Sequence, residues 1–346
     1  MLSSAAAQRG RRIGAWAFGL VISAVAIAVL ATVIDVDATL RVLSRTDVGW
    51  LALTLLMVPA QIVLRAMRWR LLLPRRPDGR RPATLSVTLV MLVGYLANLI
   101  LPARLGEPVR AYLMARRESI GFARVLGSVL LERVIDLATL ALVAVAAAIA
   151  IGAPDWLIRG TGVVGGIGVV LVVLLAASVI PRAARLFGRL AGGRVRALTG
   201  VLVNFGEGAG GGDRVSLLVA IVMSTVTWFF VAATFWLLGR SLDLGIGPGG
   251  AMLIAAVTTL GTAIPSAPAS IGTFELAAVV AAGALGIPGE QALALALLAH
   301  AVSTLPFVVA GVAAMGWMSI SITEVADEAS VAWPDAVPVR AEDGSR

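Results

Sequence analysis

The hydrophobic pattern along the chain is a series of long apolar runs separated by short, polar, Arg-bearing stretches. Six runs reach the ~20 residues a spanning helix needs: 14–34, 49–67, 125–151, 161–180, 215–238 and 291–318. Four others are too short to cross alone. The run 85–101 is followed by an Arg-bearing arm 104–117, and the run 251–264 by the arm 273–286. Pro102 separates the first pair, and Pro265 and Pro268 the second. Short apolar arms joined by Pro predict re-entrant hairpins, whose broken backbone is tolerated at membrane depth only around a polar cavity or within protein. The expected fold is all-α and polytopic, with about six full transmembrane helices plus two oppositely oriented re-entrant hairpins.

Arg placement separates the two topologies open to such a chain. If 85–101 enters and returns on the cytoplasmic side, the cytoplasmic segments 1–13, 65–84, 104–124 and 181–214 hold 21 Arg and the outer loops hold 4. If it crosses fully, the later loops change sides and the balance becomes 12 inside against 13 outside. The positive-inside rule selects the re-entrant reading. The order is then span, span, hairpin, span, repeated from the opposite face, which makes an inverted repeat with halves at about 1–155 and 156–320 within a single domain 1–320. The Pro, Gly, Glu sequence of Pro102, Gly106 and Glu107 recurs as Pro265, Gly272 and Glu275 at the equivalent place. Between the halves, segment 181–206 alternates Arg with apolar residues at helical spacing and is expected to lie on the inner leaflet against anionic headgroups. The acidic, Pro-containing stretch 321–346 is expected to be a disordered tail. Both termini are placed on the cytoplasmic side of the inner membrane.

Composition narrows the class further. At 59% hydrophobic and 14% charged residues, the chain carries too much apolar surface for one water-soluble core. The formal charge of +8 does not imply a nucleic-acid partner, because the Arg residues flank hydrophobic runs where orientation and headgroups account for them. No Cys is present, which excludes disulfides, thiol nucleophiles and Cys-ligated metals. One His and no HExxH leave no basis for a metal site, and no cofactor is expected. All 28 basic residues are Arg, a bias expected of a GC-rich bacterial genome.

Candidate chemistry gathers at the breaks. At the first, Pro102 and Gly106 turn the backbone, Asn98, Arg104 and Arg110 offer groups for a lipid phosphate, and Glu107 either joins a charge network or caps the following helix. In the next run, Glu132 and Asp136 share one helix face while Arg133 projects about a hundred degrees away. Two acids on one face at membrane depth need a cation such as Arg104 or Arg110, or a proton. At the second break, Ser266, Ser270, Pro268 and Gly272 surround Glu275, which either lines a path or caps its own arm. His300 is a lone imidazole in the last run, read as a packing residue or a proton relay.

These residues resemble the membrane region of the lysylphosphatidylglycerol synthase family. The resemblance rests on Asn98-x3-Pro102-x-Arg104-x-Gly106-Glu107-x2-Arg110, on Ser128-x3-Glu132-Arg133-x2-Asp136, and on Pro268 to Glu275 with His300 downstream. It departs where Pro-Gly-Gly is expected and Pro268-Ala269-Ser270 stands. The resemblance implies a polytopic domain that moves lipids between leaflets, in the best-known members aminoacylated phosphatidylglycerol. The soluble aminoacyl-transferring domain is absent from this sequence, so lipid synthesis is not expected of it. The expected function is translocation of a phospholipid or lipid-linked phosphate across the cytoplasmic membrane. The alternatives are an intramembrane enzyme acting on polyprenyl-phosphate or phospholipid, with Glu132 and Asp136 as acid and base, and a non-transporting membrane partner of a separate synthase or glycosyltransferase.

Overall fold

A computed structural model describes residues 19–101, 105–156, 158–160, 162–163, 166–167, 214–262 and 266–321. All regular structure among them is helical. The expected span 161–180 falls largely outside the described residues. Segment 181–206, the tail beyond Ser321, and Pro102, Arg104 and Pro265 fall wholly outside them.

The first apolar run forms α1, Gly19–Val33, and then the chain bends by 88° into α2, Val36–Leu43. The bend replaces the expected uninterrupted run to residue 34 and puts a short helix in the expected outer loop. Asp35 causes it: its backbone is extended and its carboxylate accepts from Ala38 N at 3.0 Å, capping a new helix start. Helix α3, Val48–Leu72, starts at the Asp47 cap and runs five residues past the predicted end at 67. Arg65, Arg68 and Arg70, assigned by pattern to the cytoplasmic flank, therefore belong to the helix.

Helix α4, Thr84–Ile100, packs back along α5, Gly106–Glu118, and the chain then enters α6, Phe122–Ala150. The second half contains α7, Arg214–Ser241, then the pair α8, Pro248–Gly261, and α9, Thr273–Gly283, and finally α10, Gly289–Met318. Helices α3, α6, α7 and α10 are each long and apolar enough to cross a membrane, and the bent α1–α2 pair would be a fifth span. The short apolar helices α4, α8 and α9 lie where broken hairpin arms are expected.

The neighbour relations pair off between the two series of helices. Exchanging α3 with α7, α4 with α8, α5 with α9 and α6 with α10 turns each of their packed pairs into another packed pair. Thus α4–α5 becomes α8–α9, α5–α6 becomes α9–α10, α4–α10 becomes α8–α6, and α3–α4 becomes α7–α8. The α3–α7 pair maps onto itself and is the most extensive contact, with Gln61 of α3 donating to the Thr234 hydroxyl of α7 at 3.2 Å.

Glycine lets the first pair of arms close. Gly94 of α4 and Gly106 of α5 face each other so tightly that a Cβ on Gly106 would collide with the Gly94 carbonyl and the Asn98 side chain. The largest apolar cluster fills the space around these arms with Trp69, Val90, Met91, Val109 and Met114, all fully buried.

Candidate functional site

Three guanidinium and three carboxylate groups converge between α3, α5 and α6. Arg68, completely buried, donates to Glu132 at 2.5 Å, to both Asp136 oxygens (the Nη2 contact at 3.0 Å) and to the Ser224 hydroxyl at 2.9 Å. Arg110, also buried, reaches Glu107 at 2.7 Å and Glu132 at 2.8 Å, and its guanidinium lies 4.7 Å above the Trp69 ring. Arg133 meets Glu107 at 3.2 Å and Asp136 at 3.9 Å. Arg68, Arg110 and Arg133 thus balance Glu107, Glu132 and Asp136 in formal charge. Balance is what makes the cluster tolerable, because an isolated charge out of water costs several kcal/mol.

The sequence-predicted residues take distinct places. Glu132 and Asp136 do share a face, and the cations that hold them are Arg68 and Arg110. Arg133 diverges by rotation, but its long side chain curls back to Asp136. Glu107 pairs with Arg110 and Arg133. Asn98 Oδ1 accepts from Gly106 N at 2.7 Å, which ties the end of α4 to the start of α5. Ser128 accepts from the Trp69 indole at 3.3 Å. Arg68 and Arg65 were not singled out from the sequence. Their signal was weak, because both stand where a hydrophobic run ends and basic flanks are ordinary.

A cavity of about 310 Å³ lies beside this network. Its polar wall takes Gln61 and Arg65 from α3, Tyr95 and Asn98 from α4, Arg133 from α6, Thr234 from α7, Thr258 and Thr259 from α8 with Thr262 just past its end, and Ser303 from α10, and the rest is apolar, with Trp228, Phe235, Phe274 and Phe307 among it. Both halves therefore contribute. Arg65 Nε, Arg133 Nη2 and the Tyr95 hydroxyl are buried there without a hydrogen-bond partner. Buried donors in a native fold are ordinarily satisfied, so three that line one cavity mark a place for an acceptor-rich ligand. Arg110 Nη1 and Nη2 are also buried without a well-formed hydrogen bond, but Arg110 is held by carboxylates at 2.7 and 2.8 Å and does not line the cavity.

The second break is built differently. Pro268–Ser270 forms a single tight turn in which Ala269 and Ser270 both hold left-handed backbone angles, φ 58° and 60°. The Thr273 hydroxyl donates to the Ser270 carbonyl at 3.1 Å and lies in hydrogen-bond contact with the Ser266 hydroxyl at 3.0 Å. Gly272, at φ 87°, sits against the backbone of α1, where a Cβ would meet the Ser23 carbonyl oxygen. Ser23 braces the break: it donates to the Ile271 carbonyl at 2.7 Å and accepts from Ala267 N at 2.9 Å. Glu275 caps α9 through Gly272 N at 2.7 Å and also contacts His300 at 2.5 Å. The turn packs against α4, so elements of the two breaks meet. Among the described residues, no cluster of three or more His, Cys, Asp or Glu stands ready to hold a metal.

Long apolar helices around a buried, charge-balanced core and a cavity of mixed polar and apolar lining define a multi-pass membrane protein. The model of the family described as Lysylphosphatidylglycerol synthase TM region matches residues 16–311, and the chain belongs to that family. It is also similar to "Glycosyltransferase AglD" of Haloferax volcanii, with 28% identity over 349 residues covering 90% of this chain and 56% of that one. The chain thus spans little more than half the length of this curated relative.

Proposed function

We propose that this chain moves a lipid with a phosphate headgroup between the leaflets of its membrane, taking the headgroup into the cavity while the acyl chains stay in the bilayer. The observation that carries the reading is the pair of unpartnered guanidinium donors, Arg65 Nε and Arg133 Nη2, in a cavity walled by both halves. Guanidinium forks match phosphate oxygens bidentately, and Tyr95 supplies a third donor. Short helical arms in matching places of two repeats are where transporters of this kind build their sites, with access alternating as one half rocks against the other. In this reading α4–α5 and α8–α9 are re-entrant hairpins that enter from opposite faces. Glu132 and Asp136 hold the guanidinium framework rigid. Their engagement with Arg68 and Arg110 disfavours an acid–base role in lipid chemistry.

Reconstitution into liposomes with headgroup-labelled fluorescent lipids and an impermeant quencher tests the proposal. The wild type should expose inner-leaflet label faster than protein-free vesicles do. Arg65→Gln should slow this about tenfold or more, the loss of one charge-assisted contact. Wild-type vesicles indistinguishable from empty ones across phospholipid and polyprenyl-phosphate cargoes would overturn it, as would full activity of Arg65→Gln.

The similarity to a protein named as a glycosyltransferase favours a second reading, in which the chain works beside a glycosyltransferase that acts on a lipid carrier. Stable co-purification with such an enzyme, together with no lipid movement by the chain alone, distinguishes it from the first.

A further inference from the structure

Glu275 and His300 are 25 residues apart in sequence and meet behind Phe274 and Ala299, which line the cavity. His300 Nδ1 lies 2.5 Å from Glu275 Oε1, and His300 Nε2 lies 3.0 Å from the Ala269 carbonyl oxygen. A carboxylate and a carbonyl are both acceptors, whereas a neutral imidazole has a single N–H. For both contacts to be hydrogen bonds, Nε2 must carry a proton toward Ala269 and another proton must sit between Nδ1 and Oε1. Whichever atom holds that second proton, the pair contains one more than a carboxylate beside a neutral imidazole. Glu275 cannot turn away without cost, since its other oxygen caps Gly272 N. The ring is held flat against Phe274, a cavity-lining residue, with centroids 4.5 Å apart.

The contact to Ala269 restrains a strained segment. Two consecutive non-glycine residues in the left-handed region cost about 1–2 kcal/mol each and persist only where surroundings hold them. Ser23 braces the flanks at Ala267 and Ile271 and Thr273 holds the Ser270 carbonyl, while His300 is the side chain that holds the Ala269 carbonyl and ties the turn to α10. That same turn packs on α4, the helix that brings Tyr95 and Asn98 to the cavity.

We propose that Glu275 and His300 form a proton-binding site whose one extra proton latches the 268–270 turn to α10, so that deprotonation releases the turn and shifts the second hairpin against α4. Once the proton leaves, an N–H can serve Glu275 or Ala269 but not both. If it stays with Glu275, the bare Nε2 lone pair faces the Ala269 oxygen and the turn is pushed off. The latch is therefore closed toward acid and open toward alkali. Among the described residues, Glu275 is the one titratable group hydrogen-bonded to His300. Of the elements packed on α10, α3 and α4 present Arg65 and Tyr95 to the same cavity, and Arg133 of α6 faces it as well. On α2, Asp35 and Arg41 pair with each other and Asp37 is exposed, while Arg240 of α7 lies over the Trp50 ring. On α10 itself, Glu290 stands in the first turn, away from His300. The site takes a proton as its ligand, and it rests on the lipid-translocation reading for its use as the coupling step.

The chain has a single His, so ring-15N-labelled histidine gives one spectrum in the full-length protein reconstituted in bilayers without a His tag. The wild type should show two protonated ring nitrogens, or one protonated and one sharing a strong hydrogen bond, on the acid side, and one bare nitrogen after titration. In Glu275→Gln the shared-proton signal should vanish while the amide still caps Gly272. A wild-type ring that stays a neutral single tautomer across about pH 5–8 overturns the latch. The second readout is lipid movement against pH, which should vary at least about threefold over that range in wild type and flatten in His300→Gln and Glu275→Gln. Lipid movement that proceeds with a flat profile in wild type overturns the latch and leaves translocation standing. A titrating imidazole in a protein that moves no lipid sinks translocation and supports the latch.

Discussion

Arg68→Ala removes a cation that three buried acceptors use at once. In its absence Glu132 keeps Arg110 at 2.8 Å and Asp136 keeps only the 3.9 Å approach of Arg133, so the cluster is left with two positive and three negative groups. Breaking a buried ion pair by deleting one partner costs about 3–5 kcal/mol, most of it the uncompensated charge left behind. At about 2 °C per kcal/mol the unfolding midpoint should fall by about 6–10 °C. Intrinsic fluorescence during heating in detergent reads this directly, because Trp69 and Trp228 hydrogen-bond to Ser128 and to the Asp136 carbonyl beside the network. The decisive comparison is Arg68→Met combined with Asp136→Asn, which restores two charges of each sign. It should recover more than half of the loss. A double variant as unstable as Arg68→Ala, or a single variant within about 1 kcal/mol of wild type, would refute the claim that charge balance holds this core.

Other substitutions probe the breaks. Gly106→Ala forces a Cβ into the Gly94 carbonyl and the Asn98 side chain, and should cost about 1–3 kcal/mol in the same melting assay. Ser23→Ala strips the partners from Ala267 N and the Ile271 carbonyl and should cost about 1–3 kcal/mol, with faster proteolysis at the second break as an independent sign. Ser270→Gly relieves a left-handed residue at φ 60° and should raise stability by about 1 kcal/mol, whereas Ala269→Val should lower it.

Much of the architecture was legible because membranes impose simple length and charge rules. Runs of ~20 apolar residues became α6, α7 and α10, and the Pro-interrupted short runs became the helix pairs α4–α5 and α8–α9. The site was only half legible. Helical spacing put Glu132 and Asp136 together because that relation is local, whereas Arg68 meets them from 64 and 68 residues away. Its charge ended the predicted span at 67, yet the helix runs on to Leu72 because its partners are buried on α6. Rotation about the helix axis likewise misplaced Arg133, since it ignores how far a guanidinium can reach around its own helix. The departure from Pro-Gly-Gly at Pro268-Ala269-Ser270 marked a position whose meaning emerged only from backbone angles: both residues adopt the conformation that glycine takes without penalty.

The neutrality of the buried network has an electrical consequence. Moving one elementary charge through a 100 mV potential takes about 2.3 kcal/mol, so six unbalanced charges would make any rocking of the halves hostage to voltage. Arg68, Arg110 and Arg133 against Glu107, Glu132 and Asp136 sum to zero, and the field exerts no net pull on them. Under the proposed cycle the work of the membrane potential falls on Arg65, on the cargo it holds and on the proton of the Glu275–His300 site. A cargo with one negative charge cancels Arg65, and polarising the membrane should then change its passage only through the proton of the Glu275–His300 site.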